Sequence, residues 1–197
     1  PNREGVQRLE IPSYTFRHEF KDGFPAISTK KLFFKPVITE LIWFLNGDTN
    51  IKYLVDNGCN IWNKDAYKHY LGICEKLKLK PLDLNEFLHD VKEQTSLRGV
   101  DYTFGDLGPV YGKQWTDSVG GRGSVIRYIN QMQRLMTNMI KNPMSSELIV
   151  NSWNPVDIPD MALPPCHYGF QIVMMPIGEG NYGFELHWNQ RSCDTFL

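Results

Sequence analysis

The chain has 197 residues, of which 42% are hydrophobic and 22% charged, and its net charge is −1. This composition fits one packed domain spanning residues 1–197 and excludes a disordered segment. The near-neutral balance excludes the basic excess of a dedicated nucleic-acid binder, and the densest apolar run, Leu41 to Leu45, is far shorter than the roughly 20 residues of a membrane span. Along the chain, loose apolar alternation through Leu9, Ile11, Tyr14 and Phe16 predicts strands within residues 1–29. Arg3 beside Gly5 reads on composition alone as a surface arginine. Val37, Ile38, Leu41, Ile42 and Leu45 recur at helical spacing behind Pro36, which suits a first turn, so residues 35–46 are predicted as a helix. Glu40 among them is either a boundary carboxylate with its head in water or a buried group that needs partners and titrates high.

Residues 47–58 predict a short helix capped by Asp48 or Thr49 and ended by Gly58. Ile61 and Trp62 follow, the tryptophan fit for core packing. YLGICEKLKLK and LNEFLHDVKEQ predict two short helices joined across Pro81, a small helical unit within residues 63–104. Tyr111 follows the Gly108–Pro109 turn, where an ordinary core tyrosine is equally compatible. Residues 124–141 carry an apolar stripe through Val125, Tyr128, Ile129, Met132, Leu135, Met136, Met139 and Ile140, which predicts an amphipathic helix. Residues 147–155 predict a strand, as do Tyr168–Met175 and Tyr182–Gln190. The four cysteines, Cys59, Cys74, Cys166 and Cys193, form no CxxC pair and no metal spacing. That pattern favours unpaired thiols, a reducing cytoplasmic setting and no metal. Residues 1–10 are polar and charged, unlike a signal peptide. The chain begins at Pro1 rather than methionine and stops at Leu197, so residues beyond both ends are expected.

Cys166 stands out by position. Pro164 and Pro165 fix two φ angles and remove two N–H donors, so no regular helix crosses them. The cysteine lies where this stiff segment meets a predicted strand, a geometry that aims one side chain. A buried small hydrophobe and a reactive thiolate both fit the spacing. Arg191 and Ser192 follow the last predicted strand and offer donors; a guanidinium there suits a phosphate and favours a neighbouring thiolate.

The ordered set NREG, FPAISTKKL, ELIWFLNGDTN, NIW, DLGPVYGKQW, SWNPVDIPDMALPPCH and WNQRSCDTFL resembles the thymidylate synthase family, from about Arg3 to Leu197. The match weakens in residues 63–104, read as a helical insertion. The resemblance implies an α/β (α+β) fold, a large mixed or antiparallel sheet with flanking helices, in a sheet-on-sheet two-fold homodimer. It implies a methyltransferase of nucleotide biosynthesis that converts dUMP to dTMP with 5,10-methylenetetrahydrofolate as co-substrate. By resemblance, Cys166 adds to C6 of the uracil, and Glu40 and Tyr111 serve the water network that removes the C5 proton. Arg3, Gln190, Arg191, Ser192, Cys193 and Asp194 fall in the nucleotide site, and Ile61, Trp62, Asp194 and Leu197 in the folate site. Two other readings share these residues: a pyrimidine-nucleotide hydroxymethylase, and a catalytically silent relative that binds nucleotide or RNA.

One departure is plain. Where the family carries an arginine pair that reaches the partner subunit's phosphate, this chain has Ser146 and Glu147. A carboxylate about 6 Å from a phosphate charge costs roughly 3 kcal/mol at an effective dielectric near 20. Either Glu147 points elsewhere, or Arg98, Lys76, Lys78 and Lys80 of the insertion compensate, or the phosphate is held differently.

Overall fold

The computed structural model describes residues 11–26 and 31–193. They belong to two compact units, residues 11–32 and residues 33–193. The described residues of the first unit include one 3-10 turn, Phe20–Asp22. The strands expected within residues 1–29 are absent from residues 11–26. Ile11, Tyr14 and Phe16 alternate as a strand would, but each is more than 70% exposed. Alternation without a partner ladder or a covered face does not make a strand.

The second unit holds the core. Helix α1 spans Phe34–Leu45 as expected, with Pro36 in its first turn. Thr39, Trp43 and Phe44 point inward, while Val37, Ile38, Leu41, Ile42 and Leu45 are 40–47% exposed. The Trp43 indole N–H donates to the Asn50 carbonyl at 2.9 Å. Helix α2, Lys52–Asp56, starts later than expected, because Asp48 and Asn50 accept amide N–H groups two residues on and make turns of that stretch. Gly58 lies just beyond it at φ 74°.

Helix α3, Asn63–Leu77, and helix α4, Leu84–Glu93, are the two helices expected on either side of Pro81, the first longer than read. Asp83 and Glu86 close a reciprocal capping box on α4. Tyr70, Phe87, Tyr102 and Phe104 interlock there, with ring centroids 5.2–6.4 Å apart. Helix α5, Tyr111–Asp117, follows the Gly108–Pro109 turn. A Cβ on Gly112 would meet the Asp48 carbonyl oxygen at 2.6 Å, so only glycine lets α5 approach the end of α1 this closely.

Residues 124–141 are not one helix. Strands β1, Ser118–Arg122, and β2, Val125–Ile129, form an antiparallel hairpin about Gly123, and helix α6 runs Gln131–Lys141. Val125, Ile126, Tyr128 and Ile129 are β-branched or aromatic, and Gly123 takes φ 62°, which suits a tight hairpin turn. The Asn130 side chain then accepts the Gln133 N–H and starts the helix afresh. Met132 and Met139 pack on the core, whereas Met136 and Ile140 are exposed.

Strands β3, Ile149–Asn151, β4, His167–Gly178, and β5, Asn181–Gln190, form an antiparallel sheet in the order β3-β4-β5. The described residues thus mix helices with two small antiparallel sheets. β4 and β5 meet through Glu179 and Gly180, both at positive φ (53° and 75°), as a two-residue hairpin turn requires. Among the described residues no helix is long and apolar enough to cross a membrane.

Candidate active site

The β4–β5 hairpin builds the site. Its register pairs His167 with Gln190. The residue before β4 and the residue after β5 must therefore face each other, and these are Cys166 and Arg191. The Arg191 amide donates to the Cys166 carbonyl at 2.8 Å. Its guanidinium donates from Nε to the Pro165 carbonyl and from Nη2 to the Pro164 carbonyl, each at 2.8 Å, and Nη2 lies 3.8 Å from Cys166 Sγ. The planar fork holds both proline carbonyls at once and sets its positive charge against the sulfur. Trp153 lies under the guanidinium, 5.8 Å from its ring centroid.

Helix α5 supplies the other support. Tyr111 is its first residue, and the phenol oxygen accepts the Cys166 N–H at 2.7 Å. Burial pushes that phenol well above its ordinary value, against the lowering effect of the Cys166 amide. Tyr111 also stacks on His167, with centroids 4.2 Å apart and planes 24° off parallel. Phe44 of α1 packs against both rings.

Glu40 resolves to the buried alternative. Its Oε1 accepts the Trp62 indole N–H at 2.7 Å. Burial raises its carboxyl above the usual 4.5, and the indole bond opposes that only in part. Trp62 stands edge-on to Tyr111 at 6.1 Å, so the carboxylate, the indole, the phenol and the cysteine form one connected set. Ile61 beside it is 57% exposed.

Gln190, Ser192 and Cys193 are exposed beside Arg191. Arg3, Asp194 and Leu197 lie outside the described residues. Ser146 gives its carbonyl to the Gln171 side chain, and Glu147 pairs with Arg134 at 3.4 Å on the surface. Arg98 is exposed before Gly99. Helix α4 packs on α2 and α3, and among the described residues no hydrogen bond or ion pair joins Arg98, Lys76, Lys78 or Lys80 to Cys166 or Arg191. Also among the described residues, no group of three or more His, Cys, Asp or Glu is placed to hold a metal ion.

His167 is the member that motif reading passed over, although it adjoins Cys166. Its Nε2 is buried and has no hydrogen-bond partner among the described residues. Burial holds its pKa down, to about 4, so the ring is neutral near pH 7. An unsatisfied buried nitrogen beside a cysteine and a phenol is a polar cost that packing alone does not explain.

The family model for thymidylate synthase matches residues 1–197. A Malacoplasma penetrans protein named thymidylate synthase is 40% identical over 196 residues, which is 100% of this chain and 62% of that protein. Proteins of the same name from Mesoplasma florum and Listeria innocua are 39% and 36% identical, over 92% and 100% of this chain and 57% and 65% of their own lengths. The chain thus spans about three fifths of the relatives it matches. With the cysteine, arginine, tyrosine and glutamate assembled around one hairpin end, and the match running the whole length of the chain, this protein belongs to the thymidylate synthase family.

Proposed function

We propose that this protein is a thymidylate synthase that methylates dUMP to dTMP with 5,10-methylenetetrahydrofolate, working as a cytoplasmic homodimer with one synthase-like domain per chain, a larger sheet and a helical insertion at 63–104. The observation that carries the reading is Cys166, tied through its amide to Tyr111 and facing the Arg191 guanidinium at 3.8 Å. In this reading the thiolate of Cys166 forms a bond to C6 of the uracil, which a soft nucleophile does well. Arg191 holds the proline carbonyls, so the sulfur stays aimed, and the one guanidinium nitrogen left over, Nη1, serves the nucleotide phosphate with Arg3 and Ser192. Gln190, Cys193 and Asp194 complete the nucleotide contacts. The buried carboxyl of Glu40 and the phenol of Tyr111 relay the C5 proton through water. Ile61, Trp62, Asp194 and Leu197 would hold the folate, which supplies the one-carbon unit and the reducing hydride when bound.

The test uses the full-length protein with 5-fluoro-dUMP and methylenetetrahydrofolate, followed by intact-mass measurement. A ternary adduct is expected and is absent from Cys166→Ser. An adduct that survives this change, or that maps to Cys59, Cys74 or Cys193, sinks the assignment. Product mass from dUMP turnover separates the synthase from the hydroxymethylase, and no turnover by a folded protein leaves the silent nucleotide or RNA binder.

A further inference from the structure

We infer that Gln114 is a positioning residue for Cys166, acting through the short helix that carries Tyr111; the inference rests on the reading of Cys166 as the nucleophile. Gln114 is fully buried. A primary amide in a core is costly unless its donors and acceptor are all used. Here they are. Nε2 donates to the Pro109 carbonyl at 2.9 Å and to Asp157 Oδ2 at 2.6 Å. Oε1 accepts from Ser118 Oγ at 3.2 Å and Asn154 Nδ2 at 3.5 Å. Asn154 Nδ2 also donates to Asp157 Oδ2 at 3.0 Å, which closes the network.

The placement gives this amide its consequence. α5 is tied at three points to the segment that ends in the cysteine. Tyr111 accepts the Cys166 N–H, Gln114 takes Asp157, and the Trp115 indole donates to Ser152 Oγ at 2.7 Å. Gln114 is the middle tie, and it also binds the carbonyl of the turn that launches α5. Its own backbone carbonyl accepts from Gln131, whose side chain pairs with the Asn151 backbone of β3. A leucine of similar volume would fill the same space, but apolar contact is non-directional and lets packed elements slide, whereas hydrogen bonds hold narrow distances and angles. The amide thus sets the register of α5 against residues 152–166, and through Tyr111 the height of the Cys166 backbone relative to Arg191.

The experiment compares Gln114→Leu, Gln114→Glu and Phe87→Leu in the full-length protein, with 5-fluoro-dUMP and methylenetetrahydrofolate as probes. Phe87 lies in the aromatic cluster of α3 and α4 and serves as a stability control. Single-turnover adduct formation, nucleotide Kd and Tm are measured on each. A parent that forms no adduct sinks the functional reading, whatever Gln114 does. Given a reactive parent, Gln114→Leu is expected to slow adduct formation by about tenfold or more while Kd stays within about twofold, as small misplacements of a reacting group do. Phe87→Leu keeps the parent rate despite its lower Tm. Gln114→Glu sets a carboxyl against Asp157, and two such groups at hydrogen-bond distance do not both ionise, so one holds a proton more tightly than usual. That protonated carboxyl restores the bond to Asp157, one of the amide's two donations, so the rate of this variant should rise toward the parent as pH falls. Gln114→Leu reacting at the parent rate, or slowed no more than Phe87→Leu, overturns the inference. Should Gln114→Leu not fold, a Gln114→Glu rate that follows the parent's pH profile overturns it equally.

Discussion

Two regions of the second unit bury aromatic side chains at similar density and to different ends. Around α3 and α4, Tyr67, Tyr70, Phe87, Tyr102 and Phe104 close on one another, and two phenols are spent on the turn at Leu82, whose N–H donates to Tyr70 and whose carbonyl accepts from Tyr67. Burial pushes the Tyr70 phenol up to about 12, which keeps it neutral at any ordinary pH. Around Cys166, the rings of Phe44, Trp62, Tyr111, His167 and Trp188 pack about a carboxyl, a thiol and an imidazole, with the exposed Arg191 guanidinium at the edge. The first region buries mainly apolar surface and gains stability from it, although the Tyr102 hydroxyl is also buried there and burial lowers the His69 pKa. The second accepts the desolvation of ionisable groups, a cost that stability alone would select against. What separates the two regions is the set of groups gathered in the second, where a carboxyl, a phenol, an imidazole and a guanidinium converge on one thiol.

The comparison can be broken from either side. The largest effect is expected at Phe87, which is fully buried. Phe87→Ala should cost about 3–5 kcal/mol of unfolding free energy. Chemical denaturation measures that loss, and adduct formation below the transition should be unchanged; a slowed adduct would show that the helical region serves the chemistry. Next comes Arg191→Lys, which keeps the charge and loses the fork that spans the Pro164 and Pro165 carbonyls. Adduct formation should slow by about a hundredfold with little change in Tm, since misaimed reacting groups lose rate on that scale. Equal rates would mean that charge alone serves and the clamp is incidental.

Arg98 tests whether the helical region is packing only. If it replaces the family's arginine pair at the phosphate, Arg98→Ala should raise the KM for dUMP by about tenfold with kcat nearly constant, the mark of lost uniform binding. With Glu147 already engaged by Arg134, a KM equal to the parent's would leave the phosphate to Arg3, Arg191 and Ser192. The smallest effects are in pH dependence. His167 titrates lower in the folded chain, at about 4, than its ordinary 6.5. Its neutral form is the one folding prefers, so its contribution is present above pH 6.5 and is lost as pH falls from there toward 4. His167→Phe should flatten that part of the stability curve. Glu40 has the opposite sign. Its carboxyl titrates above the ordinary 4.5, so stability is present at low pH and lost as pH rises through the folded value. Glu40→Gln should therefore gain on the parent as pH rises, read from denaturation midpoints across the acid range.

How far local pattern reaches is clearest where it fails. The stripe on α1 located the helix but left open what covers it, because periodicity marks an apolar side without saying which neighbours pack there. Thr39 is buried there and Ile42 is 40% exposed. Val125, Tyr128, Ile129 and Met132 satisfy helical spacing, yet Gly123 and Asn130 divide them between a strand and a new helix. Turn and cap chemistry outweighs spacing over so few residues.

Sequence by itself determined the family motifs, the stiff Pro164–Pro165 approach to Cys166 and the two strand runs that become β4 and β5. These are local properties, set by proline φ restriction and strand-forming residues. Their pairing as a hairpin, with His167 opposite Gln190, is what makes Cys166 and Arg191 meet. Only the tertiary structure decided that Glu40 is buried under Trp62, that His167 Nε2 has no partner among the described residues and that Gln114 holds Asp157. Hydrogen bonds of the site join residues 22, 55 and 43 positions apart, at Glu40–Trp62, Tyr111–Cys166 and Gln114–Asp157. Burial and hydrogen bonding at that separation depend on how whole elements pack, and no stretch of sequence specifies them alone.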